Sequence, residues 1–171
     1  MSRDPSDVDE EAQIYIDLGQ HGWSDLIIVS NGKVLLFGVS DVFTDMSATA
    51  LRLCDAVLEN IHLRVALCDE PGGVVLEVKP DTKQKHIMTL SIFQVDGPKS
   101  GFDADETGET VFEGRIKRRR LVGMLMSELW KTHMFLREPS YQKARDHFPH
   151  AELVKANKAW DESPLGPSFL K

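Results

Sequence analysis

The dipeptide Asn31-Gly32 constrains this chain more than any other pair of residues in it. Runs of β-formers flank it, residues 26–29 on one side and 34–37 on the other. A two-residue loop twists with its strands only as a type I′ turn, which needs positive φ at both central positions, and Asn and Gly adopt that conformation at least cost. The pair therefore predicts strands over residues 23–30 and 33–39. It also fixes their register, because so short a loop leaves no room to slide.

The rest of the chain reads outward from that hairpin. Before it, Ile14, Ile16 and Leu18 alternate with Tyr15 and Asp17, which predicts a short strand ended by Gly19. After it the period changes. Met46, Ala50, Leu53, Cys54, Val57, Leu58 and Ile61 recur every three or four residues, giving an amphipathic helix over about 44–60. Thr44 is the expected N-cap, with Asp41 the alternative, Asp45 complements the helix dipole, and Asn60 is the expected stop. Residues 63–67 and 74–78 form a second hairpin about Glu70-Pro71-Gly72-Gly73, and residues 86–95 a strand apolar on both faces, hence central or helix-covered. A polar segment over 96–109 leads to a short strand over 110–116.

Leu121, Val122, Leu125, Leu129 and Trp130 then mark a second helix over 118–135. Glu138-Pro139-Ser140 breaks it, and short helical pieces over 141–147 and 151–160 follow. The fold class expected is α+β: one domain over 12–160, a largely antiparallel twisted sheet of five to seven strands with two main helices packed on it and a short C-terminal helical region. Residues 1–11 read as a flexible acidic lead-in and 161–171 as a tail.

The length of 171 residues, with 42% hydrophobic and 27% charged side chains, suits a domain that folds without disulfide or metal staples. The longest apolar runs are far too short to cross a bilayer and the first eleven residues are polar, so no membrane contact and a cytoplasmic location are expected. Cys54 falls in an apolar helix stripe and Cys68 beside two acids; both are expected to be reduced packing residues. A net charge of −7 argues against a general nucleic-acid binder and suits a basic protein partner.

Catalytic patterns are missing from the sequence. There is no GxSxG and no phosphate-cradling glycine motif, and Gly72-Gly73 is accounted for by its turn. His147 and His150 are split by Pro149 with no completing ligand nearby, so neither metal nor cofactor is expected. Two charged segments stand out as candidate binding residues. One is the acidic loop with Asp96, Asp103, Asp105, Glu106 and Glu109, suited to steering a basic partner. The other is the basic run from Arg115 through Lys117, Arg118, Arg119 and Arg120, suited to an acidic surface or a phosphate backbone. An enzyme or ligand-binding domain would need a site assembled by the fold from distant residues such as His21, Asp25, Glu70 and His86.

Gly22-Trp23-Ser24-Asp25, the Asn31-Gly32 turn, Thr44-Asp45 before an amphipathic helix and Asp69-Glu70-Pro71-Gly72 before a strand together resemble small bacterial α+β immunity-type proteins of polymorphic toxin systems. The likeness extends over residues 17–95 and is continued by His147-Phe148-Pro149. It consists of turns and caps and brings no catalytic residue with it. The resemblance implies a cytoplasmic, noncatalytic protein that binds a protein partner such as a toxin.

Overall fold

A computed structural model describes residues 7–96, 102–143 and 145–167. Seven strands and four helices follow one another as β1 (Gln13–Leu18), β2 (Trp23–Ser30), β3 (Lys33–Ser40), α1 (Met46–Glu59), β4 (Leu63–Cys68), β5 (Gly73–Pro80), β6 (Ile87–Val95), β7 (Glu109–Lys117), α2 (Arg118–Phe135), α3 (Pro139–Gln142) and α4 (His150–Glu162). The class is α+β, and all named strand pairings are antiparallel. The strands divide into two sheets where one was expected: β1-β2-β3 and β4-β5-β6-β7. The inner faces of both sheets share one core with α1, α2 and α4.

Local chemistry accounts for most boundaries. Asn31 and Gly32 take φ of 51° and 71°, the two positive angles that the hairpin needs. Asn60 closes α1 in the left-handed conformation, its N–H reaching the carbonyls of Ala56 and Val57. The N-cap of α1 differs from expectation. Asp45 accepts from the Ala48 N–H at 2.9 Å, while the Thr44 hydroxyl turns away to accept from Cys68 N–H at 3.1 Å. A carboxylate at the helix start also meets the dipole, and Thr44 is left to tie the helix entry to β4.

Three further features depart from the sequence reading. The acidic lead-in is held at its inner end: Val8 bridges to Arg115, and buried Asp9 accepts from the N–H groups of Glu11 and Ala12 and from Ser30 Oγ at 2.5 Å. The short helix expected over 141–147 lies earlier, at α3, because Pro139 is well placed at a helix start and not inside one. Strand β7 carries a bulge: Ile92 faces Phe112 while Phe93 faces Thr110, leaving Val111 as the extra residue.

The β1 edge is closed by a buried acid that periodicity does not reveal. Glu128 on α2, 7% exposed, accepts the Ile16 N–H at 2.7 Å and pairs with Lys131. One N–H of an otherwise open strand edge is thereby satisfied by a helix side chain.

Candidate functional site

The charged residues singled out in the sequence are brought to different places. Arg118 donates to the carbonyls of Val57, Leu58 and Lys85 at 2.8–3.0 Å, so it caps the C-terminus of α1, where cations are favoured. Burial lowers its pKa. Arg120 donates twice to Ala12 O, at 2.8 and 3.1 Å, and Lys117 pairs with Glu10 at 2.5 Å. Arg119 is exposed. The basic run is thus largely engaged in holding α2 to its neighbours.

The acidic loop is partly folded onto the four-stranded sheet. Its Glu106 carbonyl accepts from Arg64 at 2.9 Å, and Phe102 packs where a side chain at Gly73 would lie. Asp96, Asp103, Asp105 and Glu106 are exposed, and Glu109 opens β7 opposite Gln94. Residues 97–101, which complete that loop, lie outside the described residues. The four residues proposed for an assembled site are dispersed: His21 lines a cavity with Ser140 and Tyr141, Asp25 lies in mid-strand on β2, Glu70 is exposed in the β4–β5 turn, and the His86 carbonyl accepts the N–H of Arg118.

Two polar clusters arise that the sequence did not announce. In the first, Arg145 donates to the carbonyls of Gly19, Tyr141 and Trp23 and lies 2.9 Å from Asp41, off the line a hydrogen bond requires. Burial pushes the Asp41 carboxyl up to about 6, against the lowering effect of Arg145. The adjoining cavity of about 20 Å³, which Ser24 also lines, has room for one water and not for a substrate. In the second, His133 stacks near Phe148 and His150 at 5.0 and 4.6 Å between ring centres, beside an open cavity of about 320 Å³ that His147 also lines. Burial, then His150 and Arg137, hold the His133 pKa down. No group of three or more His, Cys, Asp or Glu side chains among the described residues is arranged to hold a metal ion. Cys54 is buried, and burial raises its thiol pKa, which fits a packing role.

A third feature is of another kind. Strand alternation in the β1-β2-β3 sheet sends Ile14, Ile16, Leu26, Ile28 and Val39 into the core and sends a second set of side chains outward. The outward residues fall into register as rows across the three strands. Gln13, Val29 and Val34 form one row and Tyr15, Ile27 and Leu36 the next. Leu36 is 61% exposed, Val34 66% and Tyr15 40%, so no described element covers this side. Trp23, further along β2 on the same face, is also exposed.

The third row is acidic. Asp17 faces Asp25, and Asp25 faces Gly38. Gly38 has no side chain to complete the row, and the carboxylate of Asp69 occupies that place, its Oδ2 lying 3.3 Å from where a Cβ on Gly38 would be. Partial burial raises the pKa of Asp25, and the charges of Asp17 and Asp69 raise it further. No salt bridge joins any of the three to a cation among the described residues.

The sequence carried a signal for the apolar rows. Four successive apolar residues, Val34-Leu35-Leu36-Phe37, must place apolar groups on both faces of a strand. Comparison of the chain with protein-family models, curated proteins and solved structures found no match.

Proposed function

We propose that this chain is a noncatalytic protein-binding module of the immunity type, which neutralises a protein partner such as a toxin by docking on it. The observation that carries the reading is the apolar face of the β1-β2-β3 sheet, which no described element covers. Contiguous exposed apolar surface on an otherwise well-packed domain marks interaction sites. The polar cluster at Asp41–Arg145 does not compete with it as a catalytic centre, because it is filled by its own ion pair. No helix among the described residues is long and apolar enough to cross a membrane.

Co-expression with the products of adjacent genes tests the reading. The expected result is a stoichiometric complex by size-exclusion chromatography that the Leu36→Glu variant does not form, although the variant keeps the parent's circular dichroism. A complex that survives Leu36→Glu unchanged would remove the sheet face from the proposal, and absence of any complex would remove the binding role.

A further inference from the structure

We propose that the partner's contact surface is basic, seating aliphatic or aromatic side chains on the Tyr15–Ile27–Leu36 row and a lysine or arginine on the Asp17–Asp25–Asp69 row. This rests on the protein-binding reading and adds the chemistry of what is bound. Adjacent rows on one face of a strand are two residues apart, roughly 7 Å, so one small contact patch meets both rows together.

The acid row is electrostatically incomplete as it stands. Asp17 and Asp25 are directly opposed on neighbouring strands, an arrangement that costs free energy between like charges. Asp69 adds a third carboxylate from a turn in the other sheet, and Gly38 leaves the space for it. Some other acids do have cations: Glu77 has Arg64, Asp81 has Arg115, and Glu10 has Lys117. A cation arriving with the partner would relieve the repulsion in the row, whereas an acidic partner would add to it.

The same features argue against a second copy of this chain as the occupant. Each copy carries a net charge of −7 and would bring its own carboxylate row. Strands of six, eight and eight residues, at about 3.3 Å per residue and about 4.8 Å apart, present a flat area of about 350 Å². That is the size of a functional patch on a monomer.

The test uses random peptides displayed on phage and selected on the full chain, with the parent compared with Leu36→Glu and with the double variant Asp17→Asn, Asp25→Asn. The inference expects enriched peptides that combine apolar residues with Lys or Arg. It expects their affinity to fall about tenfold or more in Leu36→Glu, and to fall and lose most of its salt dependence in the double Asn variant. Enriched peptides that lack cations, or that bind the Asn variant as well as the parent, would overturn the basic-partner inference while leaving the binding face in place. Failure to enrich any peptide sensitive to Leu36→Glu would overturn both. Sedimentation of the chain alone gives an independent arm: a dimer that Leu36→Glu dissociates would make a second copy the occupant and overturn the inference.

Discussion

The outer faces of the two sheets are treated in opposite ways. On the four-stranded sheet, the row Arg64–Glu77–Ser91–Glu113 is polar from edge to edge. Arg64 lies over the Phe93 ring at 5.5 Å, reaches Glu77 at 3.8 Å and donates to the loop at Glu106. On the three-stranded sheet the equivalent surface is two largely apolar rows and one row of acids that no cation among the described residues pairs. Among the described residues, one face is completed by groups from its own chain and the other is not. A face left apolar and like-charged is not explained by stability, and that difference is the ground for assigning it to binding.

The contrast can be broken at the level of stability first. Leu26 on β2 is 1% exposed and Leu36 on β3 is 61% exposed, although both are leucines on neighbouring strands. Leu26→Ala should cost on the order of 2 to 5 kcal/mol. Leu36→Ala should stay within about 0.5 kcal/mol. Urea midpoints measure both, and a comparable loss at Leu36 would mean that something covers the outer face.

Arg64→Ala probes the completed face. It removes the ring contact and the tie to the Glu106 carbonyl, for an expected loss of about 1 to 2 kcal/mol. Amide exchange around Phe102 and Glu106 should speed up in the variant. Unchanged exchange there would show that Arg64 does not hold the loop.

A smaller effect comes from acids held above their ordinary pKa. The folded Asp41 carboxyl keeps its proton up to about 6, against 3.8 as the ordinary value. The folded state therefore binds more protons between those values, and the contribution of this group to stability falls as pH rises through that window. Asp41→Asn should flatten this part of the stability profile, and a carboxyl carbon titration by NMR should find a midpoint near 6 in the parent. A midpoint at the ordinary value would contradict the burial assigned to it. Asp25 is shifted in the same sense, so Asp25→Asn should stabilise the fold slightly at neutral pH, screened by solvent, and not in acid, where the parent carboxyl is already neutral.

Local features were legible in the sequence and assembled ones were not. The Asn31-Gly32 hairpin, the Asn60 stop and the full extent of α2 follow from residues within a few positions of each feature. Thr44 and Asp45 are alike as caps in sequence, because Thr and Asp both accept from helix amides, and only the approach of Cys68 decides between them. Arg118 and Arg120 read as surface charge, since their carbonyl partners lie about sixty and about one hundred residues away. The acid row was invisible for a related reason: it is completed by Asp69 filling the space above Gly38, and no pattern within either segment signals that meeting. The apolar rows were half legible, because a continuous apolar strand shows that both faces are apolar without showing which is covered.

The central claim is that binding occurs on the outer face of the β1-β2-β3 sheet, and methyl NMR on the full chain tests it most directly. With a selected basic peptide or a co-purified partner added, the methyl signals of Ile27, Val29, Val34 and Leu36 should shift together while Val111 and the core methyls of Leu26 and Ile28 hold still. Shifts confined to Ala104 in the acidic loop, or to methyls beside Arg119 at the start of α2, would place binding on the charged segments and contradict the account.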